Sequence, residues 1–209
     1  MTIAIVLCLS LLAGYGVNRL ADTMPPDTAA HKSRHRSPSH RLRTGSVYLS
    51  ALAIGGLAHT QGGSTPQAIL GALEAWFFLA ILVIDLEHHL VLNRLIGPAL
   101  PSFFVANWLL GTVSMQSLIL GGIVGFGFLL LVALVVPGAM GMGDVKLAGL
   151  IGATVGLYGV IVALYSGILL GVIAAILLLI KHRFQSGLRM AYAPYLVLGT
   201  WFVLYSQLP

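Results

Sequence analysis

Long apolar runs separated by short polar segments dominate the chain. Several of these runs reach about 17 to 24 residues, the length that the hydrocarbon core of a bilayer requires of a helix. The runs are continuously apolar, a pattern that favours membrane helices over alternating β-strands. They predict helices at 2–20, 46–60, 68–86, 91–110, 117–137, 144–157, 158–180 and 190–206. We therefore expect an all-α fold, a polytopic membrane helix bundle of about eight transmembrane helices.

One long polar segment interrupts this pattern at residues 21–45. It is rich in proline, serine and basic residues, a composition typical of a flexible surface loop. Placing this loop in the cytoplasm puts all 11 Lys and Arg residues at or near the cytoplasmic side of an eight-span bundle. Because cytoplasmic loops of membrane proteins are enriched in Lys and Arg, the distribution predicts that both termini lie outside.

Composition supports the membrane interpretation and limits the chemistry. Hydrophobic residues make up 58% of the 209 residues and charged residues only 8%, whereas a soluble domain carries about 25% charged residues. The net charge of +5 indicates topology and contact with anionic lipid, and we expect no nucleic-acid partner. Cys8 is the single cysteine, which excludes a disulfide framework and a cysteine-based zinc cluster. We expect one membrane domain over residues 1–209, with no metal and no cofactor.

Pairs of glycines spaced four residues apart recur in the apolar runs. Such small-xxx-small pairs let helix backbones approach closely in lipid. They predict tight helix packing at three places, Gly121 with Gly125, Gly152 with Gly156, and Gly167 with Gly171.

Two of the six acidic residues stand at the ends of apolar runs. Asp85 closes one run and Asp144 opens another, so both are expected at the same depth, at the cytoplasmic edge. Two carboxyl groups brought together can share a proton, one activating a water while the other donates to a substrate carbonyl. The alternative is structural, in which the two aspartates cap helices or pair with Arg94 and Lys146. The pattern alone leaves both interpretations open.

The residues around both aspartates resemble a known family. The segment "GMGDVKL" at 141–147 has the form GxGDxKL, and "DLEHHLVLN" at 85–93 is similar to an aspartate followed by a polar turn and Pro-Asn or Pro-Asp, with Leu92 in place of the proline. Near the end, "AYAPYLVLG" is similar to a Pro-Phe-Gly-Pro-Phe-Leu pattern and retains Pro194. These motifs occur in the order found in the type IV prepilin peptidases, which are GxGD membrane aspartic peptidases. The resemblance covers most of residues 68–205, the expected peptidase core.

This resemblance implies an activity and a site. It assigns catalysis to Asp85 and Asp144, and it places Gly141 and Gly143 beside the substrate backbone, where the lack of a Cβ leaves room. The implied substrate is a type IV prepilin or pilin-like precursor, cut at the cytoplasmic face of the inner membrane. The oligomeric state is not implied. Neither is it settled whether the aspartates are paired at rest or are assembled by the substrate.

Larger members of that family carry a cytoplasmic domain with two Cys-x-x-Cys pairs and also methylate the new pilin N-terminus. Here the basic loop at 21–45 takes that place and contains no cysteine. Its histidines, His31, His35 and His40, are spaced too loosely to predict a zinc site. The sequence therefore favours a peptidase without methyltransferase activity.

Two other functions compete with a peptidase. A small transporter or proton-coupled channel would use Glu74, Asp85 and Asp144 as an ion path, because Glu74 and Asp85 are about three helical turns apart on one face. That hypothesis leaves the GxGDxKL motif unexplained. The other is a peptidase-like protein that has lost activity and serves in assembly, which the presence of both aspartates disfavours.

Overall fold

A computed structural model describes residues 2–23, 39–60, 65–88, 93–136, 140–181 and 192–206. Within these ranges every regular element is an α-helix, which confirms the predicted all-α class. The helices are α1 (Thr2–Thr23), α2 (Ser39–Thr60), α3 (Thr65–His88), α4 (Asn93–Leu109), α5 (Met115–Val135), α6 (Met142–Lys181) and α7 (Ala193–Ser206).

Three segments of the described chain are long and apolar enough to cross a membrane. They are Pro66–Glu87, Met115–Val135 and Met142–Leu177, and the shorter Ala193–Ser206 is also apolar. The chain is therefore a multi-pass membrane protein. The count of eight spans and the outside location of both termini stay predictions.

The polar segment predicted as a loop at 21–45 is helical at both ends. Helix α1 continues to Thr23 and α2 begins at Ser39, so both ends of the predicted loop are helical. The prediction was wrong there because it followed apolar runs, and the first turns of α2, "SHRLRTG", have no apolar run to reveal a helix. The middle of the loop, with His31 and His35, lies outside the described residues, as does the His40 side chain.

The described structure divides into two compact units, of which the first is Met1–Ile84. In it α1 packs against α2, where Gly14 leaves room for the ring of Tyr48. The indole N–H of Trp76 on α3 donates to the carbonyl oxygen of Ala51 on α2 at 3.1 Å, so this unit also includes most of α3. The division leaves the predicted single domain over 1–209 as a prediction.

The second unit, Asp85–Pro209, is built around the first half of α6. Leu147, Leu150 and Ile151 are fully buried there. Helix α5 packs closely against this half, with Gly121 touching the backbone of Gly152. The contact confirms the close packing predicted from the glycine spacing, since any larger side chain would meet a peptide backbone.

Helix α6 reverses direction at Gly156. This residue has φ 76° and ψ −176°, a conformation that glycine adopts and L side chains rarely do. The reversal brings Ala148 and Val160, which precede and follow it, against the same residue of α5, Gly125. The freed N–H of Leu157 donates to a side-chain oxygen of α5 at 2.9 Å. The break lies within two residues of the predicted boundary between the helices at 144–157 and 158–180.

Helix α7 runs antiparallel to the second half of α6. Gly199 contacts the carbonyl of Ala163, and a methyl group at Gly167 would lie 3.0 Å from the carbonyl oxygen of Tyr195. Asp144 stands twelve residues before the reversal in α6, and Gly167 stands eleven residues after it. Because each residue of a helix adds the same rise, the start of α7 returns to about the depth of Asp144.

Candidate active site

The second unit contains both aspartates that the sequence predicted as site residues. Asp85 lies near the end of α3 and is 4% exposed. Asp144 lies in the first turn of α6 and is half-buried. The charge of Asp85 acts on the Asp144 carboxyl group, so the two side chains lie within electrostatic range of each other. The structure therefore places two carboxyl groups, distant in sequence, within electrostatic range of each other in one unit.

Asp144 also stabilises the start of its own helix. The backbone of Gly141 hydrogen-bonds the Asp144 carboxyl group, and the Asp144 N–H donates to the Gly141 carbonyl at 3.1 Å. A carboxylate at the third helical position that reaches back to the N-cap backbone is one half of a capping box. Asp144 thus caps its helix, which is one part of the structural alternative, while its carboxyl group also lies within electrostatic range of Asp85. The cap holds the carboxyl group in a defined position at the helix start.

The structural alternative paired Lys146 with an aspartate, but in the structure its partner is an asparagine. Its ammonium group donates to Oδ1 of Asn93, the first residue of α4, at 3.0 Å. Asn93 ends the segment that begins at Asp85, of which residues 89–92, including Leu92, lie outside the described residues. The bond therefore ties the first turn of the Asp144 helix to the segment that follows Asp85.

We expect this tie to make a measurable but modest contribution to stability. Lys146→Ala and Asn93→Ala should each lower the free energy of unfolding by about 0.5–1.5 kcal/mol, because each removes the same hydrogen bond. Denaturant titration in detergent measures both single variants and the double variant. The double variant should lose no more than the larger single loss, and fully additive losses would show that the two side chains do not interact.

Gly141 and Gly143 border the Asp144 carboxyl group. Gly141 is exposed, and a methyl group on it would lie 3.6 Å from Oδ2 of Asp144. Gly143, one residue before Asp144, is partly exposed. The structure thus has open space beside the carboxyl group at Gly141, while the role of both glycines in substrate binding stays a prediction.

Glu74, the third acid of the transporter hypothesis, lies in the first unit. It is 2% exposed and sits on α3, eleven residues before Asp85. Its part in an ion path stays a prediction. In the described portion of the chain, no group of three or more His, Cys, Asp or Glu side chains could hold a metal ion.

Tyr192 is a member of the site that the sequence analysis missed. It immediately precedes α7 and is half-buried. Burial first, and the negative charge of Asp144 second, raise the pKa of its phenol to about 12. The phenol therefore lies within electrostatic range of Asp144. The signal was present in "AYAPYL", where tyrosine stands at the first phenylalanine position of the similar family pattern.

Comparison with known proteins gives one family and several relatives. The model of the type IV leader peptidase family matches residues 72–176, which lie within the expected core at 68–205. A prepilin leader peptidase/N-methyltransferase of Pseudomonas aeruginosa is 29% identical over 165 residues, 76% of this chain and 56% of that protein. Proteins of the same description from Bacillus subtilis and Neisseria gonorrhoeae are 25% and 27% identical over 173 residues each.

The match covers most of this chain but less of its relatives. It includes 81% of the chain and 69% of the Bacillus subtilis protein, and 80% of the chain and 57% of the Neisseria gonorrhoeae protein. The chain thus spans little more than half the length of two of these three relatives. No solved structure matches the chain.

Proposed function

Because the chain belongs to the type IV leader peptidase family, we propose that it is a membrane aspartic endopeptidase that removes the leader of type IV prepilins or pilin-like precursors. Asp85 and Asp144 are the catalytic pair in this proposal. The observation that carries it is the electrostatic interaction of these two carboxyl groups, one nearly fully buried and one half-buried, within a single unit. We propose that the pair is formed at rest, and the electrostatic interaction of the two side chains is consistent with that arrangement.

The proposed reaction uses one water and both aspartates. Two neighbouring carboxyl groups cannot both be charged at low cost, so they hold one proton between them. The charged carboxylate takes a proton from the water while the water oxygen attacks the scissile carbonyl carbon. The protonated carboxyl group donates its proton to the carbonyl oxygen. Collapse of the tetrahedral intermediate breaks the C–N bond. The leaving amine takes a proton, and a carboxylic acid remains on the leader.

Accessibility divides the two roles between the aspartates. Asp85 is enclosed by protein, whereas Asp144 is half-buried beside the open surface at Gly141. The substrate backbone would approach along Gly141 and Gly143, where no Cβ stands in its way. Asp144 therefore contacts the substrate first, and Asp85 acts from its enclosed position within the protein.

The proposed location is the cytoplasmic face of the inner membrane. Asp85 lies at one end of the apolar segment Pro66–Glu87, and Asp144 lies at one end of Met142–Leu177. Side chains at segment ends lie near the edge of the bilayer, where water and the polar leader are available. The positive-inside distribution of Lys and Arg assigns this edge to the cytoplasm.

We propose leader cleavage without methylation for this chain. The relatives are described as carrying both activities, and the family's cysteine-rich domain requires four cysteines in two pairs. Residues 1–209 hold one cysteine, Cys8, which is exposed. Mass analysis of the mature pilin distinguishes the two cases, because methylation adds one methyl group to the new N-terminus.

The function is tested by expressing the chain with a candidate prepilin in cells that lack a leader peptidase. We expect the prepilin to shift to the size of the mature pilin on a gel, because the leader is lost. A prepilin whose cleavage junction is altered serves as the control and should stay uncut. An unshifted prepilin, together with proton-coupled uptake into vesicles, would favour the transporter hypothesis.

A further inference from the structure

The start of α7 brings a tyrosine to the end of the second unit where Asp144 stands. A methyl group at Gly171, in the second half of α6, would lie 3.0 Å from Cε2 of Tyr192, so the ring packs on this glycine. Gly171 lies fifteen residues after the reversal in α6, and Asp144 lies twelve residues before it. The reversal and the antiparallel α7 therefore place Tyr192 at the end of the unit where Asp144 stands.

The backbone of Tyr192 anchors it at this place. Its carbonyl oxygen accepts hydrogen bonds from the N–H groups of Tyr195, at 3.1 Å, and Leu196, at 3.5 Å, in the first turn of α7. Leu196 is fully buried, and Pro194, between them, is buried as well. The tyrosine is thus fixed at a helix start that is packed into the unit.

The phenol of Tyr192 stays protonated over the working range of an enzyme. Its pKa of about 12 results from burial first and from the charge of Asp144 second. A hydroxyl group that keeps its proton near neutral pH is always available as a hydrogen-bond donor. Among the parts of the chain that the structure describes, the Tyr192 hydroxyl makes no hydrogen bond that would use this donor.

We propose that the Tyr192 hydroxyl is a third catalytic group, which donates a hydrogen bond to the scissile carbonyl oxygen of the substrate. This inference rests on the proposed peptidase function. A carbonyl oxygen has two lone pairs, so it can accept from the protonated aspartate and from a phenol at once. Negative charge grows on this oxygen as water attacks, and a fixed donor lowers the barrier because it stabilises the transition state more than the substrate.

Tyr192→Phe tests the assignment by removing one oxygen atom and nothing else. Phenylalanine fits the site, because it keeps the ring that packs on Gly171. Single-turnover and steady-state cleavage of a purified prepilin give kcat and KM separately. We expect kcat to fall about 10- to 100-fold with KM unchanged, since the lost bond forms in the transition state.

Tyr195→Phe is the matched control. Tyr195 is three residues further along the same helix, and its ring lies 6.5 Å from that of Tyr192. We expect this variant to keep kcat within about twofold of the unmodified protein, because the proposed reaction gives the Tyr195 hydroxyl no role. The kcat ratio of unmodified protein to Tyr192→Phe should also stay constant between about pH 6 and pH 9, because the phenol does not ionise there.

The outcomes separate the inference from the function on which it rests. If the unmodified protein and Tyr192→Phe cut prepilin equally fast, the inference is overturned and the proposed function stands. A loss that falls on KM, or that Tyr195→Phe shares, would also overturn it, since a structural role predicts those results. Unmodified protein that cuts no prepilin would overturn the proposed function and the inference with it.

Discussion

Replacing either aspartate by asparagine is expected to reduce the rate of leader cleavage by about a thousandfold or more. Replacing both aspartates should reduce the rate no further than replacing one. Asparagine keeps the shape of the side chain but can neither take a proton from water nor share one. Residues that act as one unit give losses that do not add. Single-turnover cleavage of prepilin by detergent-solubilised membranes measures Asp85→Asn, Asp144→Asn and the double variant.

The helix cap at Asp144 requires a control of its own. Asparagine still offers an oxygen that can accept from the Gly141 backbone, so the start of α6 should persist in Asp144→Asn. The amount of folded protein in the membrane checks this. Losses that add up in the double variant would show that the two carboxyl groups work independently, contrary to a shared-proton mechanism.

Gly121→Ala is expected to be the most damaging single change to the fold. A methyl group there would meet the carbonyl oxygen of Gly152 and would lie 2.6 Å from the carbonyl carbon of Gly156. These are backbone atoms at the reversal of α6, so they cannot move aside as a flexible side chain would. We expect a loss of at least about 3 kcal/mol in the free energy of unfolding, at the upper end of the usual cost of overpacking.

Gly127→Ala, in the same helix α5, is the matched control. A methyl group at Gly127 would meet nothing within 4 Å, and the residue is exposed on the helix. The free energy of unfolding should stay unchanged or rise by up to about 1 kcal/mol, since alanine is the better helix former. Equal losses in the two variants, measured by denaturant titration in detergent, would contradict the close α5–α6 contact.

The apolar runs predicted most of the fold. They located every described helix, because each of these helices contains an apolar run. They failed at residues 39–45, where α2 begins in a polar segment, since a polar helical turn has the same composition as a loop. They placed a helix boundary within two residues of Gly156. They did not predict that the chain reverses direction there, because the reversal depends on packing against α5.

The sequence also predicted part of the site. Equal depth of Asp85 and Asp144 followed from the ends of two apolar runs, and the structure places the two carboxyl groups in electrostatic range. The pairing of Lys146 with Asn93 could not be predicted, because any nearby acceptor would satisfy an ammonium group. Tyr192 was missed for a physical reason. Its approach to Asp144 depends on two chain reversals, at Gly156 and before α7, that no local pattern specifies.

Cleavage of purified prepilin by the purified protein in lipid vesicles tests the central claim most directly. Mass spectrometry of the products identifies the released leader and its cleaved bond, and Asp144→Asn is measured beside the unmodified protein at equal folded concentration. The two-aspartate account predicts one leader peptide from the unmodified protein and none from the variant over the same time. Leader release by Asp144→Asn at the rate of the unmodified protein would contradict it.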